Sequence, residues 1–468
     1  MDPIGGKHGE EREKQEMIKK GIMLIMAGTI ALSCCACGSG SQSSQDMVPA
    51  SIGGHAWAGR MEITYAEGFQ IDKYEDGYML ITIRGEDQFL IVPEGEKVPG
   101  AEDTSGEEES GTEETSDSQE EAEADEASGS RETSDDIDDS ITVLRQPVTG
   151  IYLAASAVMD MFVSLDSLDD IRFSVLTADG WYIDEAVRSM ESGNILYAGK
   201  YSAPDYELIL SEGCDLAIEN TMIYHTPEVK EELESFGIPV LVDYSSYESD
   251  PLGRMEWIKL YGVLTGETEL AEQVFERQSA LYVDTGNGAD SAADEDIGNG
   301  SDSVTDEDSG TGSAPVNDED SESVADSAPT VAFFYITTTG AVNVRKSADY
   351  LPRMIEQAGG VYIFEDLGDE DDTASSTVTM QMEEFYNAAK DADYLIYNST
   401  IEGELDSMED FLALSDLLKN FKAVSENHVY CTTKNLYQAS MELGTITSDI
   451  RNMLCGNTEN LTYLYRIE

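Results

Sequence analysis

Positive charge is scarce in this sequence. The 468 residues include 27 lysines and arginines against 95 aspartates and glutamates, which gives a formal net charge of -68. Binding to nucleic acid depends on lysine and arginine side chains that displace counterions from phosphates. We therefore exclude nucleic acid as a partner. The same acidity favours solubility and keeps the chain off anionic membrane surfaces.

Histidine is also rare. The sequence has four, His8, His55, His225 and His428, and none lies at metal-ligand spacing from another. This distribution argues against a histidine-rich zinc or manganese site, and we predict no metal site.

The motifs that organise common enzyme sites are missing. The sequence contains no GxSxG, no GxxxxGK[ST] and no GxGxxG after a strand pattern. Gly359 and Gly360 are typical of a helix end instead. Carboxylates are abundant, but no two are singled out as an acid and base pair. We therefore predict a protein that is not an enzyme and has no catalytic residue.

Cysteines number six, and three of them lie close together near the N-terminus. The other three are Cys214, Cys431 and Cys455, without CxxC spacing, so redox or zinc chemistry is not expected. Cys214 stands at the start of an apolar strand pattern. Whether Cys431 and Cys455 form a disulfide is left open by the sequence.

The N-terminal region has the pattern of a secretory signal. Lys19 and Lys20 precede the apolar run Ile22–Leu32, which is too short for a stable transmembrane helix. We expect translation to start at Met17. The end of the run resembles a bacterial lipobox, which implies lipidation at Cys37, or at Cys35 in the alternative register. We therefore expect a signal peptide over 1–37, a flexible tether over 38–46, and lipid anchoring at the extracytoplasmic face of the cell membrane.

Two acidic segments divide the rest of the chain. Residues 94–140 and 284–328 are rich in Glu, Asp, Ser, Thr and Gly and have few apolar residues, which predicts disorder because such segments cannot bury enough surface to fold. Before the first of them, 47–93 alternates apolar and polar residues between turn signals, which predicts a small β-meander.

The two remaining regions alternate strand and helix patterns. Residues 141–283 include the strand patterns DLAIEN and IPVLVDY, a helix with Pro204 in its first turn, and a long helical tail; 329–468 repeats the alternation from TVAFFYIT onwards. We predict an α/β fold of two lobes with mostly parallel sheets, joined by a long connecting helix.

Short motifs recur in order along these lobes. They are Pro204–Leu210 leading to Cys214–Ile218, Gly237–Val240, Leu264–Gly266 with Ala271 and Glu272, Ala358–Gly360, and Glu384 followed by Asp393–Ile396. With these motifs the chain resembles, over about 141–460 without the acidic insert, the substrate-binding proteins that serve ABC importers of iron-siderophores, haem and vitamin B12. Cys214 replaces the proline usual in that class, and the meander is an addition to its fold.

The resemblance implies a monomer that captures a ligand between its lobes and delivers it to a permease with its ATPase, with a glutamate on each lobe docking onto the permease. By position these are Glu207 and Glu384, with Glu383 as a substitute for the latter. The implied ligand is an iron chelate or a corrinoid. Haem is an alternative, with a tyrosine, Met222 or His225 as axial ligand. A surface adhesin or sensor without a transport function is the other alternative.

Binding crevices in open α/β sheets lie beyond the carboxyl ends of the strands. Aromatic side chains at these ends would stack on a flat ligand, and Lys200 and Arg345 would pair with its anionic groups. The ligand-binding residues predicted in this way are Trp181, Lys200, Tyr201, Glu219, Met222, Ser245, Tyr247, Tyr335, Arg345, Asn398 and Tyr437, with Thr177 beside the first of them.

Overall fold

The structure is a computed structural model that describes residues 51–99, 137–291, 328–368 and 376–468. These residues belong to one compact unit that spans 49–468. The predicted signal peptide, Cys35 and Cys37, the tether, and most of both acidic segments lie outside the described ranges. None of the described helices is both long enough and apolar enough to cross a membrane.

The N-terminal part is a six-stranded sheet. Its strands are β1 (Ser51–Ile52), β2 (His55–Arg60), β3 (Phe69–Tyr74), β4 (Met79–Ile83), β5 (Asp87–Val92) and β6 (Ile141–Arg145), which neighbour one another in chain order. The first five pair antiparallel, as alternation between turns predicts, and β6 joins β5 in parallel. The sequence pattern places residues 141–145 in the first lobe. This placement is wrong, because these residues form β6 and pair with β5 of the N-terminal sheet.

Parts of both acidic segments, for which disorder was predicted, are folded. Residues 94–99 turn back onto the sheet, where Val98 packs beside buried Tyr78 and the Tyr78 hydroxyl donates to the Lys97 carbonyl at 2.6 Å. The second segment was expected to begin at 284, but a helix continues to Ser291. At the other end of the first segment, Ile137 packs on the sheet and the Ser140 N–H donates to Asp138 at 2.9 Å. Disorder was therefore wrongly predicted for 94–99, 137–140 and 284–291. In the first case, apolar residues beside a folded sheet outweigh the acidic composition.

The first lobe is built on a five-stranded parallel sheet. Its strands are β7 (Ile151–Leu153), β8 (Ile171–Ser174), β9 (Leu196–Tyr197), β12 (Leu216–Asn220) and β13 (Val240–Asp243), in the order β13-β12-β7-β8-β9, beside a hairpin of β10 (Gly199–Lys200) and β11 (Ala203–Pro204). Its helices are α1 (Met159–Ser164), α2 (Asp184–Ser192), α3 (Tyr206–Glu212), α4 (Pro227–Ser235), α5 (Pro251–Glu256) and α6 (Ile258–Thr265).

Local sequence explains where these helices begin. The Asp205 carboxylate caps α3 by accepting the Leu208 N–H at 3.1 Å. Pro204 belongs to β11, so its predicted place in the first helical turn is wrong. Pro227 opens α4 and Pro251 opens α5, positions where the missing N–H costs nothing.

The second lobe contains a seven-stranded mixed sheet. Its strands are β14 (Thr330–Ile336), β15 (Val342–Arg345), β16 (Val361–Tyr362), β17 (Thr377–Met380), β18 (Tyr394–Tyr397), β19 (Val429–Thr432) and β20 (Leu464–Arg466), with β14, β16, β18 and β19 in parallel pairs. Its helices are α8 (Tyr350–Gln357), α9 (Met382–Ala389), α10 (Ser399–Glu402), α11 (Met408–Ala413), α12 (Lys422–Ser425) and α13 (Leu443–Leu454).

A helix of 24 residues, α7 (Thr268–Ser291), lies between the lobes. It packs on α6 of the first lobe, where a side chain at Gly262 would meet Ala271 at 2.5 Å, and on α13 of the second, where one at Gly444 would meet the Gln278 carbonyl at 2.6 Å. The predicted long connecting helix is therefore present. Glycine at both crossings allows the close helix packing that holds the lobes together.

Cysteines do not crosslink the described residues. Cys214, Cys431 and Cys455 are all free, with Cys431 buried and Cys455 exposed. The disulfide between Cys431 and Cys455 that the sequence left open is absent from this structure.

Candidate functional site

A cleft of about 360 Å³ lies between the two lobes. On the first lobe its wall follows the carboxyl ends of β7, β12 and β13, where parallel α/β sheets commonly bind ligands. The second lobe contributes the end of β15, the start of α8 and the chain before α13. The residues with polar groups in this wall are Ser156, Asn220, Thr221, Asp243, Ser245, Ser246, Tyr247 and Arg254 from the first lobe, and Arg345, Tyr350, Ser376, Tyr437 and Ser440 from the second.

Arg254, on α5, is the cation of the first-lobe wall. Its Nε donates to the Glu248 carbonyl at 2.8 Å, and one terminal nitrogen donates to the Ser246 carbonyl. The guanidinium carbon lies 3.8 Å from the ring centre of Tyr350, a cation–π contact between the lobes. Burial lowers the pKa of Arg254, and the charge of Arg345 also lowers it.

Arg345 is the cation of the second-lobe wall. It ends β15, and its backbone N–H donates to the Tyr362 hydroxyl at 3.0 Å. One terminal nitrogen contacts Asp349 at 3.5 Å and the Ser376 hydroxyl at 3.2 Å. A guanidinium has five N–H donors in a planar fork, so both arginines keep donors for an anionic group in the cleft.

A buried carboxylate lies behind these cations. Asp243 accepts from the Tyr261 hydroxyl at 2.7 Å and from the Ser245 hydroxyl at 2.7 Å. Burial raises its pKa to about 6, against the lowering effect of these hydrogen bonds. Its bonds fix the turn at Ser245, which begins the segment 245–247 of the cleft wall.

Aromatic and thioether groups border the polar wall. Tyr247 is 47% exposed and accepts a hydrogen bond from Thr221 Oγ1 at 2.7 Å, Tyr437 is 38% exposed and Met222 is 45% exposed. Exposed side chains of this size beside hydroxyl groups suit a ligand with a flat apolar part and a charged or polar rim.

The structure brings some of the predicted ligand-binding residues together in this cleft and places others elsewhere. Those in the cleft wall are Met222, Ser245, Tyr247, Arg345 and Tyr437. The cleft lining among the described residues does not include Thr177, Trp181, Lys200, Tyr201, Glu219, Tyr335 or Asn398.

The misplaced residues have structural positions of their own. Trp181 is 3% exposed and its Nε1 donates to the Ser174 hydroxyl at 3.0 Å. Asn398 is buried and caps α10 by accepting the Thr400 N–H at 3.2 Å.

The other predicted residues are placed by strand pairing or core packing. Lys200 lies in the β10–β11 hairpin, Tyr201 packs on the core beneath α3 and α4, and Tyr335 packs on the main core. Thr177 precedes a short turn at 178–180. These side chains therefore lie outside the lining of the interlobe cleft.

The predicted site residue Glu219 directly precedes a residue of the cleft lining, Asn220. It is fully buried on the face of β12 that it shares with Ala217, while its neighbour Asn220 reaches the cleft. Successive residues of a strand point to opposite faces, so a shift of one position exchanges a ligand-facing side chain for a core-facing one.

Sequence reasoning missed several cleft residues. Arg254 lies in the last turn of α5 and Tyr350 begins α8, so a search at strand ends does not reach them. Since lysine and arginine are scarce in this sequence, each arginine near a predicted lobe edge was a candidate, and this was the available signal for Arg254. For Asn220 and Thr221 the signal was the end of the DLAIEN strand pattern, which was located correctly.

The predicted docking glutamates lie outside the cleft lining. Glu207 is in the first turn of α3, and Glu384 is in the first turn of α9 beside Glu383. All three side chains are exposed. They are accessible to a partner, one on the first lobe and two on the second.

In the described ranges, no group of three or more His, Cys, Asp and Glu side chains is arranged to hold a metal ion. Of the side chains considered as haem ligands, Met222 lies in the cleft wall. His225 ends the short helix after β12 and is not part of that wall.

Comparison with known proteins gives distant similarities. No family model matches the chain. An uncharacterized lipoprotein of Methanocaldococcus jannaschii is 21% identical over 325 residues, which cover 67% of this chain and 66% of that relative, slightly less than two thirds of its length.

Solved structures with similar folds are periplasmic binding proteins. A haem-binding protein from Pseudomonas aeruginosa is 13% identical, with 69% of this chain and 98% of that one covered and a TM-score of 0.49. A binding protein from Veillonella parvula is 13% identical, with 66% and 92% covered and a TM-score of 0.48. A vitamin B12-binding protein of Vibrio cholerae is 11% identical, with 66% and 98% covered and a TM-score of 0.41.

Proposed function

We propose that this chain is an extracytoplasmic solute-binding lipoprotein of an ABC importer, lipidated at Cys37 or, in the alternative register, Cys35. It captures an iron chelate or a corrinoid in the interlobe cleft. The observation that supports this most strongly is the pair Arg254 and Arg345, which comes from opposite lobes and faces one cleft in a chain with few cations.

The arginine pair favours a ligand with negative charge. Carboxylates and catecholates of ferric chelates accept charge-assisted hydrogen bonds from guanidinium groups, and the Tyr247 hydroxyl, which accepts from Thr221, keeps its own O–H as a neutral donor beside them. A ferric chelate is therefore our first candidate and a corrinoid our second. Haem remains a candidate because its carboxylates suit the same arginines and Met222 lies in the wall.

Ligand binding is tested by thermal shift against a ferric catecholate, a ferric hydroxamate, cyanocobalamin and haemin. A ligand that binds only the folded state raises its apparent stability. We expect a shift with an anionic chelate. If no probe raises the melting temperature, the result would favour the adhesin or sensor function, or a solute outside the panel.

The arginine pair is tested with Arg254→Gln and Arg345→Gln. Each variant should weaken binding of the anionic chelate by about tenfold or more, because a hydrogen bond to a charged group contributes about 1.5–3 kcal/mol. Arg188→Gln is the matched control, since Arg188 forms an exposed ion pair with Glu185 on α2. Unchanged affinity in both cleft variants would contradict the proposed site.

Delivery to a permease is proposed to use Glu207 and Glu384. Reversing both charges, Glu207→Arg with Glu384→Arg, should abolish uptake in cells that carry the importer and leave ligand affinity intact. The control is Glu228→Arg with Glu409→Arg, which are also exposed first-turn glutamates, one on each lobe. Equal uptake by the double variant and the wild type would remove the docking assignment.

A further inference from the structure

The six-stranded N-terminal sheet is joined to the first lobe by two buried carboxylates. The segment between β2 and β3, residues 61–68, runs across α5 with its backbone N–H groups directed at Glu248 and Glu256. These glutamates are 7% and 0% exposed, respectively. Buried carboxylates need several donors to offset lost hydration, and this segment supplies them.

Glu248 holds the end of the segment. Its Oε1 accepts from the backbone N–H of Glu67 at 3.0 Å and of Gly68 at 2.9 Å, and from Trp257 Nε1 at 3.0 Å. A side chain at Gly68 would lie 2.6 Å from the Trp257 ring, so only glycine allows this approach without displacement.

Glu256 holds the start of the same segment. It accepts from the backbone N–H of Thr64 at 3.0 Å, Tyr65 at 2.7 Å and Ala66 at 2.9 Å, and from Lys259 Nζ at 2.8 Å. The two carboxylates are therefore similar in burial and in the kind of donor that they bind.

The two glutamates differ in their relation to the cleft. Glu248 directly follows the cleft residues Ser245, Ser246 and Tyr247, and its own carbonyl accepts from Arg254 Nε at 2.8 Å. The Glu256 carboxylate instead bonds to Lys259, which donates onward to the Glu62 carbonyl at 3.0 Å. Only Glu248 thus connects the N-terminal segment to the guanidinium in the cleft.

A second contact from the N-terminal sheet reaches the same part of the first lobe. Arg84, in the turn after β4, lies over the ring of Tyr244 with 4.8 Å between the guanidinium carbon and the ring centre. Tyr244 precedes the cleft segment 245–247. The sheet therefore supports this segment from two of its turns.

We infer that the N-terminal sheet is a structural part of the ligand cleft, in which Glu248 acts as a positioning residue for Arg254. With its carboxylate, Glu248 is anchored to residues 67 and 68, and with its carbonyl it orients the guanidinium. The purpose of that orientation, binding an anionic solute, rests on the proposed function. The positioning itself is independent of any ligand.

The test compares Glu248→Gln with Glu256→Gln in the full chain. Phenylglyoxal modifies arginine side chains, and mass spectrometry gives its rate at Arg254 and Arg345 within one sample. We expect Glu248→Gln to increase the ratio of the Arg254 rate to the Arg345 rate by about tenfold, which corresponds to ~1.4 kcal/mol. Glu256→Gln should leave the ratio as in the wild type, although both variants loosen the N-terminal segment.

Gly68→Ala provides a second variant that acts from the sheet side. It displaces the segment from Trp257 and Glu248 without changing a charge, and should raise the same ratio. It therefore tests the inference even if Glu248→Gln does not fold. An unchanged ratio in the folded variants would overturn the inference. An equal rise with Glu256→Gln would also overturn it, because general loosening would then explain the effect.

Ligand binding is measured separately with the ferric catecholate, ferric hydroxamate, cyanocobalamin and haemin. Where a probe binds the wild type, Glu248→Gln should weaken it by about as much as Arg254→Gln does, and Glu256→Gln should not. Binding of no probe would count against the proposed function alone. The ratio of the phenylglyoxal modification rates at Arg254 and Arg345 would still decide whether Glu248 positions Arg254.

Discussion

Glu219 is a buried acid without a partner among the described contacts. It is fully buried on β12, and neither carboxylate oxygen has a hydrogen-bond donor, nor does the nearby Tyr152 hydroxyl have a partner. Ionisation would place a charge in an apolar core, so desolvation raises the pKa of Glu219 to about 8. The folded protein therefore keeps this carboxyl protonated near neutral pH.

The raised pKa predicts a specific pH dependence of stability. Between the ordinary pKa of 4.5 and about 8, the unfolded chain loses the Glu219 proton while the folded chain keeps it. The free energy of unfolding should therefore fall as the pH rises through this window, by up to about 1.4 kcal/mol per pH unit from this residue. Urea unfolding at several pH values across the window measures the slope.

Glu219→Gln isolates this contribution. The amide does not ionise, so the variant should lose that part of the slope and become more stable than the wild type near pH 8. Asp160, whose pKa burial raises to about 7, contributes a slope of the same sign but is present in both proteins. Identical slopes for wild type and variant would show that Glu219 is ionised in the folded state.

At the scale of elements, continuous apolar runs were the reliable signal. DLAIEN, IPVLVDY and TVAFFYIT predicted strands, and β12, β13 and β14 confirm them. A strand buried on both faces needs apolar residues throughout, and turn-forming residues limit each run, so local sequence is sufficient.

Pairing between elements was less predictable. The pattern at 141–145 predicts a strand but does not say that it joins β5 instead of β7, since the partner is chosen by tertiary packing. Short β15 and β17, which pair antiparallel, were not predicted at all. This matters for function because Arg345 ends β15 and Ser376 directly precedes β17.

The residues of the cleft were also predicted only in part, because local sequence does not determine tertiary contacts. Strand ends located its first-lobe wall, but both faces of β12 are covered by core, so the pattern does not tell whether Glu219 or Asn220 reaches the cleft. In the cleft, Arg254 is held by the Glu248 carbonyl and the Tyr350 ring of the other lobe, and Glu248 in turn binds the N-terminal segment. These neighbours are distant in sequence, and local patterns contain no information about them.

At the scale of the whole molecule, direct hydrogen bonds join the lobes beside the cleft. The buried amide of Gln438, in the second lobe, donates to the Gly180 carbonyl at 2.9 Å and accepts from the Tyr182 N–H at 2.7 Å. Nearby, Ser440 donates to the Ala157 carbonyl at 2.6 Å. With α7 packed against α13, these bonds restrict how far the lobes separate.

Gln438→Ala should loosen this connection and leave each lobe folded. Two first-lobe backbone groups would lose their partners, so we expect about 1–3 kcal/mol of destabilisation and faster hydrogen exchange at the Tyr182 amide. Asn435→Ala is the control, because the Asn435 amide oxygen accepts from Thr433 within the second lobe. Hydrogen exchange followed by mass spectrometry distinguishes the two variants. Unchanged exchange at 178–183 in Gln438→Ala would mean that the Gln438 bonds do not hold the lobes together, and that α7, the Ser440 bond and the contact of Arg254 with Tyr350 are sufficient.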